Sequence, residues 1–360
     1  MDETQTAYLD YNATAPLVEA ARQAMDEAMD LAGNPSSVHG AGRLARQRIE
    51  AARAQIAACV GAAPGEVVFT SGGSEANALA LSQVPVARRL VSAIEHPSVL
   101  AYGAPFAAIP VSGDGGVDLD ALQARLRQGG VGLVSVMAAN NETGVVQPVD
   151  EVVRLAHAHG ARVHVDAVQA LGKMPLDFAA LGADYLSLSA HKIGGPQGVG
   201  ALLVRAGLDV APLLRGGGQE MGRRAGTENL CGIAGFAAAV GTLMGRADWV
   251  RRVAALRDAL ESRVLALAPE TVIFGRHVPR LVNTSCLALA GLSAETQLMA
   301  LDLAGVHVSA GSACSSGKIA QSHVLAAMRV EPALARAAIR VSLGPYSRAA
   351  DVDAFVDAWG

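Results

Sequence analysis

"VGLVSVMAANNETGVVQPVDEVVRLAHAHGARVHVDA", residues 131–167, reads as a strand, a loop, a helix and a second strand. The outer runs, "VGLVSVMA" and "ARVHVDA", are short, apolar and β-branched, and "VDEVVRLAHAHG" between them is helix-like. Two neighbouring strands joined through a helix run parallel, because the helix carries the chain back along the sheet. The same alternation extends outward in both directions. "EVVFT", "RLVSAI", "DYLSLSA" and "GALLVR" are strand-like, and "VEAARQAMDEAMDL", "GRLARQRIEAARAQIAACV", "SEANALALSQV" and "DLDALQARLRQ" are helix-like. The expected fold class is therefore α/β, with a mostly parallel central sheet and helices on both faces. A ligand of such a sheet is expected beyond the carboxyl ends of the strands, where the loops gather.

From about residue 245 the pattern changes to a long helix, "ADWVRRVAALRDALESRVLAL", two strand-like runs, "RLVNTSCLAL" and "GVHVSA", and an Ala-rich helical end. That order suits a smaller α+β domain. At about 150 residues per domain, 360 residues suggest two. The expected division is a large domain over 15–245 and a small one built from 1–14 and 246–360. The Gly-rich "LLRGGGQEMGRRAGTENL" at 213–230 reads as a long loop rather than a linker, and loops of that length are usually functional.

Composition narrows the function classes. Hydrophobic residues make up 51% and charged residues 17%, so the chain is globular rather than disordered. A net charge of -4 provides no basic field, and neither nucleic acid nor a membrane surface is expected as a partner. The start, "MDETQTAYLDYNATAP", is acidic and polar, unlike a secretory signal, and the expected location is cytoplasmic. Cys59, Cys231, Cys286 and Cys314 show no metal-type spacing and read as reduced thiols.

Three stretches carry chemistry. In "FTSGGSEANALAL", 69–81, a strand gives way through small residues to a helix start, so free backbone N–H groups face one point: either a phosphate cradle or a plain helix cap. Asp166 and Lys192 each follow a strand, and Ser189 and His191 lie just before the lysine. A strand-end lysine is usually a solvated charge and a strand-end aspartate usually a cap. Together they fit a pyridoxal-phosphate enzyme, in which the lysine forms the Schiff base and the carboxylate keeps the pyridine nitrogen protonated. In "SAGSACSSGKIAQSHVL", 309–325, Cys314 sits among glycines and serines, where a thiol has little to pack against. His157, His159, His164 and Asp166 do not make a metal site. Helix positions two apart face opposite ways, and His164 with Asp166 supplies only two ligands.

Ten stretches occur in a familiar order: "YLDYNATAP", "NPSSVHGAG", "FTSGGSEAN", "EHPSVL", "NNETGVVQP", "VDAVQ", "SAHKIGGPQG", "AGTEN", "SAGSACSSG" and "IRVSLG". On these the chain resembles the cysteine desulfurases of the NifS/IscS type, in the class V aminotransferase superfamily, from about residue 7 to 345. The resemblance implies the fold type I architecture of pyridoxal-phosphate transferases, with the small domain carrying the Cys314 loop and Arg340. It implies Lys192 as the Schiff-base lysine, Asp166 as partner of the ring nitrogen and Gln169 as hydrogen-bond partner of the phenolic oxygen. His96 resembles the residue that stacks on the ring and serves in proton transfer. Gly73, Ser74, Ser189 and His191 match phosphate ligands, and Thr227 matches a threonine that reaches the neighbouring subunit's cofactor, which implies a homodimer. Asn141 and Arg340, with Asn34 beside them, are similar to the group around the substrate carboxylate.

Cys314 resembles the nucleophile that takes the sulfur of L-cysteine as a persulfide, leaving L-alanine. Its loop is similar to the long form that passes sulfur to an acceptor protein, such as an iron–sulfur scaffold, for iron–sulfur cluster or other sulfur-compound biosynthesis. The chain ends sooner after "LGPYS" than the housekeeping form, whose C-terminal tail helps dock that scaffold. Alternatives are a selenocysteine lyase, another class V aminotransferase or lyase with no need of Cys314, and a non-catalytic binding module.

Overall fold

The computed structural model describes residues 6–102, 107–244, 248–311 and 321–360. Its strands, in chain order, are β1 (Ala7–Tyr8), β2 (Val67–Thr70), β3 (Arg89–Ser92), β4 (Ala107–Ile109), β5 (Leu133–Met137), β6 (Arg162–Asp166), β7 (Tyr185–Ser189), β8 (Gly200–Val204), β9 (Val272–Ile273), β10 (Thr284–Ala288), β11 (Val306–His307), β12 (Ser309–Ala310) and β13 (Ile339–Ser342). The helices used below are α1 (Glu19–Met29), α2 (Gly40–Cys59), α3 (Gly73–Ser82), α4 (Pro97–Leu100), α5 (Leu119–Arg127), α6 (Val149–Ala158), α7 (Phe178–Leu181), α8 (Leu230–Met244) and α9 (Asp248–Leu267).

The opening stretch forms the expected unit: β5 and β6 pair in parallel, from Leu133 opposite Arg162 to Met137 opposite Asp166, and α6 joins them. Val149, Val152, Val153 and Ala156 of α6 are buried, the spacing of one helix face laid on a sheet. These strands belong to a seven-stranded sheet of order β2-β8-β7-β6-β5-β3-β4. Every residue of β5, β7 and β8 is buried, as continuous apolar strands require when both faces of a sheet are covered. Only β8 runs against its neighbours β2 and β7, so the sheet is mostly parallel and the other six strands end along one edge. Gly200 starts β8 at that edge, and a Cβ there would stand 2.6 Å from the Leu188 carbonyl oxygen and 2.7 Å from the Gly72 Cα. A glycine is what lets β8 turn back beside the loop that follows β2.

On one side, α8 packs against α1 and α2, burying Ile233, Phe236, Val240 and Leu243 at helical spacing. The loop at 213–230 is held from beneath. The Glu220 carboxylate accepts from Arg53 Nη1 and Nη2 of α2, both at 2.8 Å, and from the Phe69 N–H at 2.8 Å. Glu220 and Met221 have φ of 50° and 57°, an uncommon conformation for residues with side chains, and this buried ion pair maintains it.

A second, antiparallel sheet has the order β12-β13-β10-β9, and β11 pairs in parallel with β1. Two expectations for this region are corrected. "GVHVSA" is not one strand: Val306–His307 pairs with β1 while Ser309–Ala310 pairs with β13, and Val308 between them faces the cavity described below. The end of the chain is not wholly helical, because "IRVS" at 339–342 forms β13, which hydrogen-bonds both β10 and β12. The alanines around this strand favour helix locally, and burial between two neighbours overrides them.

Candidate active site

The carboxyl edge of the large sheet gathers the chemistry. After β2, Ser71 and Gly72 turn the chain into α3, and a Cβ on Gly73 would lie 2.8 Å from Val168 Cγ2, so only glycine fits the approach. The first N–H groups of α3 open onto a cavity of about 380 Å³ lined also by Ser74, Ser189 and His191. The Ser71 N–H donates to Glu75 Oε2 at 2.7 Å, and Arg224 pairs with Glu75 at 2.9 Å, tying the 213–230 loop to this turn. Burial, with Lys192 adding to it, pushes the His191 imidazole down to about 4, so it offers hydrogen bonds here and no charge.

A larger cavity of about 470 Å³ shares Gly73, Ser74, Ser189 and His191 and reaches Asp166, Gln169, Lys192, His96, Asn141 and Arg340. Asp166 is fixed on both oxygens: Oδ1 accepts from the Val168 N–H at 3.0 Å and Oδ2 from Asn77 Nδ2 at 2.8 Å. Asn77 Nδ2 also donates to Ser98 Oγ at 2.9 Å, which leaves the Ser98 hydroxyl to donate to His96 Nδ1 at 2.8 Å. That nitrogen accepts the Ser98 N–H as well, at 3.1 Å, where His96 caps α4. A neutral His96 therefore carries its proton on Nε2. Burial lowers its pKa; Lys192 and His323 reinforce the shift and Asp166 opposes it.

Lys192 Nζ donates to the carbonyl oxygens of Asn12 at 2.7 Å and Ala13 at 2.8 Å. Burial, reinforced by Arg340 and opposed by Asp10 and Asp166, lowers this amine to about 8. The uncharged, nucleophilic form is thus well populated in mildly alkaline solution. In protein stripped of small molecules, acetylation of Lys192 followed by peptide mass spectrometry is expected to rise with pH through a midpoint near 8. A midpoint near 10.5, the ordinary lysine value, would contradict the geometry. Arg340 lies at the other side of the cavity, with Nη2 on Asp10 Oδ1 at 2.7 Å and Nη1 on the Asn141 carbonyl at 3.1 Å. Its buried Nε has no hydrogen-bond partner among the described residues, which costs stability.

Lys192, Asp166, Gln169, His96, Asn141, Gly73, Ser74, Ser189, His191 and Arg340 thus meet at one site, although they come from segments as far apart as 73 and 340. Asn34 does not reach it. This residue is exposed, lines neither cavity of this chain, and closes a local turn in which its Oδ1 accepts from the Ser36 N–H at 2.8 Å. Thr227 is exposed and lines neither cavity of this chain. Cys314 lies outside the described residues. The three histidines weighed as metal ligands go to separate partners: His157 to Asp184, His159 to the Leu155 carbonyl, and His164 to Ser135 and Ser187.

The family model for class-V aminotransferases matches residues 7–355. A cysteine desulfurase of Cereibacter sphaeroides is 44% identical, over 98% of this chain and 94% of that one. The chain belongs to the cysteine desulfurases. Among solved structures, the NifS-like protein of Rickettsia africae superposes with a TM-score of 0.92 at 35% identity, covering 99% of this chain and 98% of that one. The structure titled SspA in complex with cysteine gives 0.82 at 30% identity, covering 95% and 100%. Cysteine desulfurases of class V depend on pyridoxal phosphate, and the fold is that of their type I architecture.

The desulfurase's own residues fit that cofactor. A glycine turn with its helix-start N–H groups free, a carboxylate fixed on both oxygens and an amine lowered to about 8 are what a phosphate, a protonated ring nitrogen and an aldehyde require. Sequence reading assigned no role to several residues that shape this site: Asn77 and Ser98, which join Asp166 to His96; Asp10, which holds Arg340; and Asn12, whose carbonyl receives Lys192. The signal for Asn12 was "YNATAP", where a polar residue stands among small ones near the start of the resemblance.

Proposed function

We propose that the protein removes sulfur from L-cysteine and stores it on Cys314, converting cysteine and the Cys314 thiol into alanine and a Cys314 persulfide. The observation that carries this reading is the placement of the Lys192 amine, the Asp166 carboxylate and the Arg340 guanidinium around one cavity beside the glycine turn. Cysteine in the SspA structure favours L-cysteine as the substrate. The turn at Gly73 and Ser74, with Ser189 and His191, would hold the cofactor phosphate; Asp166 would meet the ring nitrogen, Gln169 the phenolic oxygen, His96 the ring face and Lys192 the reactive carbon. When bound, pyridoxal phosphate supplies an electron sink for the substrate's α-carbon.

The chain's own residues do the rest. Arg340, steadied by Asp10, brings its guanidinium to the cavity for the substrate carboxylate, and Asn141 lines the same cavity. His96 holds a proton at Nε2 at the ring side of the cavity, ready to deliver it. Lys192, with a pKa about 8, exchanges a proton with substrate near neutral pH. Cys314 takes the sulfur as the substrate's carbon–sulfur bond breaks and passes it to an acceptor protein, such as an iron–sulfur scaffold. We assign Thr227 to the partner's site in a homodimer, place the enzyme in the cytoplasm, and divide the chain into domains 15–245 and 1–14 with 246–360. Among the described residues, no single helix is long and apolar enough to cross a membrane.

An Arg340→Lys variant tests the seating of substrate. It keeps a cation for Asp10 but loses the planar fork, so kcat/KM for L-cysteine is expected to fall about a hundredfold. Cysteamine, which lacks the carboxylate, is expected to change its slow sulfide release less than threefold. Equal losses on both compounds would place Arg340 outside carboxylate binding.

A further inference from the structure

Lys173 is a buried lysine with no acid among its hydrogen-bond partners in the described residues. Its Nζ donates to Gln169 Oε1 at 2.6 Å and to Asn12 Oδ1 at 3.0 Å, both side-chain amide oxygens. With Lys192 it also lines a mostly apolar cavity of about 20 Å³, together with Tyr11, Leu171, Leu243, Trp249 and Leu343, and this lining contributes no carboxylate. Burial, with Lys192 and Arg340 adding to it, holds this amine well below the ordinary lysine range. A buried lysine that lacks a counter-charge costs stability and calls for an explanation.

The explanation lies in what its two bonds fix. An amide such as Gln169 can present either its oxygen or its nitrogen to a ligand, and the two ends are nearly the same shape. Here Oε1 is taken by Lys173, and Nε2 donates to the Asn12 carbonyl at 3.0 Å. One N–H of Gln169 remains for the cavity that this residue lines. The same amine acts on Asn12, whose Oδ1 also accepts from Asn283 Nδ2 at 3.0 Å and whose Nδ2 donates to Thr284 Oγ1 at 2.8 Å.

We propose that Lys173 is a positioning residue: it locks the Gln169 amide so that an N–H, never the oxygen, meets the ring oxygen of the cofactor. The inference rests on the proposed seating of that cofactor against Gln169. A donated N–H stabilises the ionised ring oxygen and lowers the pH at which the yellow band of the bound cofactor titrates. Losing the donor raises that pH by about one unit.

The test is a spectrophotometric pH titration of the cofactor-loaded enzyme in four forms: parent, Lys173→Met, Gln169→Met and the double variant. Each single variant is expected to raise the midpoint by about one unit, and the double variant no further than Gln169→Met alone. Lys173→Gln, which restores a donor to Oε1, is expected to return most of the shift and guards against a packing defect in the methionine variant. If Gln169→Met leaves the midpoint unchanged, the seating of the cofactor against Gln169 is wrong. A shift from Gln169→Met with none from Lys173→Met overturns the role of Lys173, and so do additive shifts in the double variant.

Discussion

A Lys192→Ala protein is expected to purify colourless and to turn over L-cysteine at least about ten-thousandfold more slowly than the parent. The loss has two sources. The variant lacks the amine proposed to bind the cofactor covalently and the only lysine among the described residues that lines the main cavity. Lys173 cannot replace it, because its amine is committed to Gln169 and Asn12 and is fully enclosed. The fold should survive, since Lys192 Nζ bonds only two backbone carbonyls at the cavity wall. Absorption spectra, thermal melting and sulfide release on one preparation check all three points. A yellow variant active within tenfold of the parent would remove Lys192 from its proposed role.

Cys314→Ser is expected to stay yellow and to bind L-cysteine, with the accompanying spectral change, while sulfide release falls about a thousandfold or more. In the proposed site the cofactor and the carboxylate are held by residues elsewhere, whereas the oxygen of serine cannot accept sulfur as a stable persulfide. A free thiol near pKa 8.5 is only a few per cent ionised at neutral pH, so activity should rise with pH through the slightly alkaline range. The other thiols are poor substitutes. Cys286 is wholly buried in β10 and its pKa is pushed far up, chiefly by burial, and burial also raises that of Cys59 at the end of α2. Alkylation after exposure to L-cysteine should therefore trap a persulfide on Cys314 of the parent and on none of Cys59, Cys231 or Cys286. Sulfide release by the serine variant at near-parent rates would replace the desulfurase mechanism with that of a general lyase.

Much of this was legible in the chain because the governing features are local. The 131–167 stretch alternates strand and helix at the spacing each requires, and its parallel pairing followed directly. Gly73 marks the cradle for a steric reason, since a Cβ there would crowd Val168, and Gly72 for its backbone, whose φ of 150° favours glycine. What escaped reading depends on partners distant in sequence. Nothing in "GALLVR" distinguishes a reversed strand from a parallel one, and the direction of β8 emerges only when it pairs between β2 and β7. Nothing in "IRVS" outweighs the flanking alanines until β10 and β12 hydrogen-bond to it. Asn12 holds residues 141, 169, 173, 192, 283 and 284 together, contacts that no window of sequence contains. Asn34 shows the opposite limit: a motif asparagine reads as available for substrate, while in this chain its Oδ1 closes a local turn and the residue lines neither cavity.

The most direct measurement of the activity is a paired product assay, with alanine and sulfide quantified together after the yellow enzyme is incubated with L-cysteine and a thiol reductant. The expected result is one alanine per sulfide, many turnovers per subunit. Sulfide accompanied by pyruvate and ammonia in place of alanine, or no product at all from enzyme fully loaded with cofactor, would contradict the desulfurase assignment.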